Sequence, residues 1–462
     1  MSRPLRLKLE SLQCHFTWDF EIKDKVDALH ILQTLAPQAQ HTPHHNRGAY
    51  LAMRAYLQNF QGNYKEALDS LREAECALKR DHPTNFSRQA LVTYGNYAWV
   101  YYRLVNYDMV DLYLGRIHDI CRSLASPEAY SAMIPEVHAQ KGWSLLAGGF
   151  RNWDQAAECF RKALEAEESN EEFQAGLAIS VYASYTHSWT TEKREEAQKL
   201  LEEVVARQPQ NYEAKAYLAQ TLMAVDKERA LFLVDDVARE SVNPEVLRIV
   251  SKLYKQQSFP RTISILKKAI SILKKAIALD PGYHLLHYDL GMGYLQMLEH
   301  SPGDVREEAI EPAIESFKRA LEMDPFSIFT QLKLAKAYGE RSPAYEEEIY
   351  LNLMEELPEA SKRCQQSIYM HWGDFLLHKK GVKSQALDMY QAAARIPGDH
   401  SLERKQLEIR LKRLARMFRE DGEMEQASAV YSLLKETGLQ VTSQQDGSWR
   451  RGSWRGNDRA QQ

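Results

Sequence analysis

The densest cationic run in the chain lies near its end. Arg404, Lys405, Arg410, Lys412, Arg413, Arg416 and Arg419 carry seven positive charges against Glu403 and Glu408. Arg410 and Arg413, flanked by Lys405 and Arg416, recur near helical spacing, so one helix face can be basic and can take phosphates. The plainer reading is a solvated helix. Further on, GSWRRGSWRG repeats a Trp-Arg pair at Trp449 and Trp454. Charge plus stacking is the chemistry of single-stranded nucleic acid, and a loose chain end reads the same way.

Other chemistry is thin. No Ser-His-Asp order, Gly-rich phosphate loop or paired-carboxylate motif stands out, so the chain reads as a binding protein, not an enzyme, and implies no cofactor. His41, His44 and His45 have no Cys or acidic partner at ligand spacing, so no metal site is expected. The five cysteines (Cys14, Cys76, Cys121, Cys159, Cys364) are scattered without a CxxC pair, as in a reducing cytosol. A formal charge of −4 gives no global basic signature, so any anion site must be a local patch. The N-terminus has no apolar signal core, and no apolar run nears about 18 residues. A cytoplasmic, membrane-free protein is expected.

The elements that must position these residues are helices. Leu290–Gly291–Tyr294 is followed by Ala313–Phe317–Ala320–Pro325, and Leu414–Ala415–Phe418 by Ala427 and Tyr431. Small residues where two helices touch, large ones in the groove and a closing Pro are the arithmetic of the tetratricopeptide repeat. Earlier copies include Gly62–Tyr64–Ala67–Leu71–Ala74, Trp153–Ala156–Phe160–Ala163 and Ala197–Leu201–Val204–Pro209. Roughly nine or ten units of about 34 residues fit the chain. The fold class is therefore all-α, a tetratricopeptide-repeat superhelix (α-solenoid). Such a stack presents a long concave face, so its default work is binding. The expected organisation is a helical segment at 1–48, the solenoid at 49–440 and a disordered Trp/Arg/Gly tail at 441–462.

ISILKKA occurs twice in tandem, at Ile263–Ala269 and Ile270–Ala276. Seven residues are close to two helical turns, so the second copy lengthens the helix by about 10 Å and keeps its apolar stripe in phase. Ile263, Leu266, Ile270, Leu273 and Ile277 make that stripe. Lys267, Lys268, Lys274 and Lys275 fall on the polar side and read as solvated.

Two blocks go beyond generic repeats. Cys14-His15-Phe16-Thr17-Trp18 and Gly95-Asn96-Tyr97-Ala98-Trp99-Val100-Tyr101-Tyr102 resemble the interferon-induced proteins with tetratricopeptide repeats. Lys141-Gly142-Trp143-Ser144-Leu145-Leu146 with Gly148-Gly149 resembles that family's GWALL…GG segment. Gly176-Leu177-Ala178-Ile179, Val246-Leu247-Arg248 and the LKKA helix continue the match, which spans about residues 5 to 435.

The resemblance implies an interferon-induced antiviral effector that binds foreign single-stranded (viral) RNA in a basic central channel and restricts its translation. It also implies homo- or hetero-oligomers with relatives and contact with the translation-initiation machinery. It places Trp143 where some members stack a cap base and keeps an aromatic at Trp153. Arg248 matches an Arg facing RNA phosphates, with Lys252, Tyr254 and Lys255 in the same helix. His287 matches the first His of the family's LHHQ, Lys412 and Arg413 a late basic pair, and Tyr182 the first residue of a Tyr-Arg pair. That pair's Arg is Ala183 here, and a family Lys is Ala147. Tyr288 and Asp289 replace a His and a Gln, and polar phosphate-pocket positions fall at Gln33 and Pro37. Arg151 is the cation nearest in sequence to make up the loss. Fewer cations and one added carboxylate oppose a terminal triphosphate. The alternative is a repeat scaffold that binds proteins, relatives or initiation machinery, without 5′-end-specific RNA recognition.

Overall fold

The computed structural model describes residues 3–20, 22, 25–188, 190–256, 263–300, 303–398 and 401–439. The Trp-Arg tail lies outside them. Among the described residues the chain forms twenty-two α-helices, two short 3-10 turns and no strand. It is an all-α tetratricopeptide-repeat solenoid. Helices α1 (Arg3–Glu10) and α2 (Lys25–His41) precede five pairs. These are α3 (Arg47–Gln61) with α4 (Tyr64–Asp81), α5 (Phe86–Arg103) with α6 (Tyr107–Ser123), and α7 (Pro135–Ala147) with α8 (Trp153–Ala166). Then come α9 (Glu171–His187) with α10 (Thr191–Arg207), and α11 (Tyr212–Leu222) with α12 (Lys227–Glu240). After α13 (Pro244–Gln256) and α14 (Ile263–Leu279) follow α15 (His284–His300) with α16 (Gly303–Met323) and α17 (Ile328–Arg341) with α18 (Pro343–Glu355). The last pairs are α19 (Lys362–His378) with α20 (Lys383–Arg395), and α21 (Ser401–Glu420) with α22 (Met424–Glu436).

The contacts form two compact units, one ending at Leu253 and one beginning at Tyr254, so the division falls inside α13. In the first unit, α3, α5, α7, α9 and α11 pack side by side. Their partner helices are spaced wider and reach one another through long side chains, as in Arg161–Glu196 at 2.8 Å and Arg229–Glu202 at 2.7 Å. The second unit repeats the pattern, with α15, α17, α19 and α21 as its close layer. A stack tighter on one layer curves toward that layer, so the first helices of each pair line the hollow side of each unit.

Close approach explains the small residues. The Phe160 ring of α8 sits between Gly142 of α7 and Gly176 of α9, where any Cβ would run into it. The CHFTW and GNYAWVYY blocks are also packing devices. His15 is fully buried, with Nε2 2.9 Å from Ser144 Oγ and Nδ1 2.9 Å from Asn96 Nδ2. Burial lowers its pKa to about 3, so it is a neutral internal strut. Gly95 gives Cys14 room, and Trp99 Nε1 donates to the Leu9 carbonyl at 3.2 Å.

Helix α14 runs unbroken through both ISILKKA copies. Leu266, Ala269, Ile270, Leu273 and Ala276 are buried, as the three-four spacing requires. Its lysines divide, which the sequence reading did not anticipate. Lys268 Nζ lies 4.5 Å from the Tyr254 ring centroid, and Lys274 Nζ lies 5.8 Å from that of Tyr294. Among the described residues no helix is long and apolar enough to cross a membrane.

Candidate nucleic-acid interface

In the second unit charge is spread unevenly over the helices. Helix α18 carries Glu346, Glu347, Glu348 and Glu355 with no Lys or Arg, and α16 carries twice as many acids as bases. Three helices of the close layer, α17, α19 and α21, are the reverse, whereas α15 carries Asp289 and Glu299 and no Lys or Arg. Lys333 and Lys336 lie on α17, His371 and His378 on α19, and Arg410 and Arg413 on α21. A spacing of three or seven residues keeps each pair near one helix face.

The histidines report the field there. His371 is pushed well below its ordinary value, first by burial and then by Lys333, with Arg410 and Lys336 adding to the effect and Asp374 opposing it. His378 is lowered by burial, then by Arg413 and Arg410. Both rings are disfavoured as cations first by burial, and the nearby Lys and Arg add to that. Asp374 is the main local counter-charge. Burial pushes its carboxyl up, but Arg410 outweighs that and leaves it below the usual range. Arg410 binds both Asp374 oxygens at 2.8–2.9 Å, and the Tyr390 hydroxyl donates to Oδ1 at 2.8 Å.

The late basic run therefore splits. Arg410 is held by Asp374, and Arg404 donates to the Thr437 carbonyl at 2.6 Å. Lys412 Nζ reaches Glu408 across one helical turn at 2.5 Å. Lys412, Arg413 and Arg416 remain exposed. Lys333, Lys336, His371 and His378 escaped the sequence reading. Their signal was weak, a Lys-x-x-Lys and two histidines seven apart.

The first unit places the other expected residues differently. Trp143 on α7 is only 3 % exposed and packs edge-on against Phe160, with centroids 5.0 Å apart. The His44 ring stacks on it at 5.0 Å, and His44 Nε2 lies 3.4 Å from Glu213 Oε2. The Tyr217 hydroxyl donates to Glu213 Oε1 at 3.0 Å, and the Tyr217 ring stacks on buried Tyr182 at 4.4 Å. Tyr182 donates to Gln220 at 2.5 Å. One continuous network thus joins Trp143 to Tyr182, with a carboxylate at its centre. A second carboxylate, Glu172, lies 3.8 Å from His45. Neither acid nor His44 was read from the sequence as part of a site.

The remaining positions are scattered. Trp153 opens α8 and donates from Nε1 to the Leu146 carbonyl at 3.0 Å. Arg151 sits half-buried in the 3-10 turn Phe150–Asn152. Arg248 is buried and binds both Glu245 oxygens at 2.8 and 2.9 Å. Lys252 is half-buried, and Tyr254 and Lys255 are buried in the same helix. His287 Nε2 lies 3.0 Å from the Pro281 carbonyl, and Asp289 is 3 % exposed. Ala183 is buried, and Pro37 is half-buried within α2.

No protein-family model matches the chain. It is 30 % identical over 413 residues to the antiviral innate immune response effector IFIT1 of Macaca fascicularis, covering 84 % of this chain and 83 % of that one. A monomeric mutant of IFIT1 with Gppp-AAAA superposes with a TM-score of 0.67 at 26 % identity, over 94 % of this chain and all of that one. A human IFIT1 dimer with PPP-AAAA gives 0.62 at 27 % identity, over 93 % and 99 %.

Proposed function

The chain belongs to the family of interferon-induced proteins with tetratricopeptide repeats, and from that premise we propose that it binds single-stranded RNA along the basic first helices of its second unit and withholds that RNA from translation. The observation that carries the proposal is the placement of Lys333, Lys336, Arg410 and Arg413 on α17 and α21, first helices of the second unit, with Arg413 exposed. RNA phosphates would replace Asp374 and solvent as the counter-charge. Arg413, Lys412 and Lys333 are the phosphate contacts in this reading, and Arg248, Lys252 and Lys255 on α13 are further candidates that rest on the family resemblance. Tyr254 and Trp153 are the stacking candidates. IFIT1 holds capped or triphosphate tetra-adenylates, which supports RNA as the ligand class. The place of action proposed is the cytoplasm, with relatives or initiation factors as further partners.

The 5′ end is treated differently in this reading. His44 covers a face of Trp143, and Glu213 and Glu172 bring negative charge to that part of the first unit. A terminal triphosphate would meet repulsion where a family member offers the cations missing at Ala183 and Ala147. Each missing charge-assisted contact forfeits about 1.5–3 kcal/mol, or one to two decades. Binding is therefore internal and dominated by the backbone. The same carboxylates favour, as a second reading, a scaffold that grips a basic protein segment.

Competition between matched RNAs ending in hydroxyl and triphosphate tests the proposal. The expected result is comparable affinity for both, lost when Lys333 and Arg413 become Glu. A strong triphosphate preference overturns the internal mode. No RNA association at low salt leaves the scaffold.

A further inference from the structure

The duplicated heptad builds something besides helix length. An open cavity of about 410 Å³ lies within the second unit between α14, α15 and α16. Its α14 wall is Lys267, Ile270, Ser271 and Lys274, at spacings of three, one and three, so both copies contribute to one face. The floor is apolar, with Ile270 and Met297 each 6 % exposed and Ala309 2 %. Tyr294 closes one side under the Lys274 ammonium. The opposite wall, on α16, holds Glu308 and Pro312. Proline has no N–H for the carbonyl four residues back, so Glu308 also loses its usual helix donor there.

We propose that this cavity is a binding site for an amphipathic organic anion, an apolar or aryl body carrying one acidic head. The volume suits a small molecule, and apolar lining with few polar groups is how such sites are built. Charge fixes the class and the orientation. Lys267 and Lys274 are exposed at the rim and stand about 10 Å apart along the helix, so both ammonium groups can converge on one head beside the Ser271 hydroxyl. Glu308 repels charge at the α16 side, so the apolar end points that way. A neutral body of the same shape gains the floor but not the two lysines. This inference does not rest on RNA binding, because none of Lys333, Lys412 and Arg413 lines the cavity.

The test uses the full chain and two fluorescent probes with one aromatic body. 8-Anilinonaphthalene-1-sulfonate is the anion and N-phenyl-1-naphthylamine the neutral partner. The anion should bind one per chain, about tenfold or more tighter than the neutral probe, the equivalent of one charge-assisted contact. Lys267→Gln with Lys274→Gln should erase that difference, and Lys274→Arg should keep it. Ser271→Phe, at an exposed position that folding tolerates, should block both probes. Equal binding of the two probes, or an anion affinity unmoved by the lysine and Ser271 variants, overturns the proposal. Stoichiometric displacement of the anion by single-stranded RNA also overturns it, because the cavity would then be part of the RNA track.

Discussion

Asp374 shows how one residue can hold a face together and limit it. Its carboxylate accepts from Arg410 and Tyr390, tying α19 to α21 and α20. It also cancels one cation on the layer proposed to meet RNA. Asp374→Asn should destabilise the second unit by about 2–3 kcal/mol, at the low end for breaking a buried pair because both side chains keep some solvent contact. Asp374→Leu with Arg410→Met should cost less, since no charge is stranded; thermal melts compare them. The pH sign follows from the lowered carboxyl. Its contribution is fully present above the unfolded value of about 3.9 and is lost as pH falls through the lower folded value. Asp374→Leu/Arg410→Met should therefore flatten the acid limb of stability below about pH 4. None of this was legible in the sequence. The charges of Arg410 and Asp374 are plain there, but a partner 36 residues away is fixed only by how successive pairs stack. Trp143 illustrates the same limit. Its type suggested stacking, and the structure supplies a stacking partner from the chain itself, His44.

Elements were far more legible, because helix period is a local property and repeats copy it. The prediction that both ISILKKA copies form one helix holds, since a seven-residue insertion turns the buried stripe by only about 20°. Deleting one ISILKKA copy should accordingly leave a folded, helical chain whose melting point moves by only a few degrees, while anion-probe binding weakens because one of the two rim lysines is gone. Circular dichroism and probe titration separate those outcomes; collapse of the helical signal would mean that the second copy is structurally required. The pair Gly142 and Gly176 marks another readable element. Both stood in segments that resemble the family, and the structure gives a packing reason in the Phe160 ring they enclose. Gly176→Ala should cost about 2–3 kcal/mol through overpacking, whereas Gly115→Ala, with open space around it, should be neutral or slightly stabilising. Denaturant midpoints distinguish the two.

At the scale of the whole molecule, a formal charge of −4 hides an uneven distribution over the helices. Acidic second helices such as α16 and α18 offset basic first helices such as α21 within the same unit. Net charge could not reveal this, because it sums over layers that face different solvent. If the first-helix layer meets RNA through phosphates, association must release counterions, and affinity must fall steeply with salt. For single strands the logarithmic slope is about −0.7 per phosphate neutralised. Lys333→Gln with Arg413→Gln should make the slope shallower by about 1.4, weakening binding to every sequence alike. Lys267→Gln with Lys274→Gln removes the same charge from the same unit but lies off that layer, so it should leave the slope unchanged. Fluorescence anisotropy with one unstructured RNA across a salt series compares the three proteins directly. If the two double variants lose slope equally, total charge rather than the first-helix layer governs binding, and the assignment of Lys333 and Arg413 fails. If only the first pair matters, the uneven distribution of charge over the helices is what turns a mildly acidic protein into an RNA-binding one.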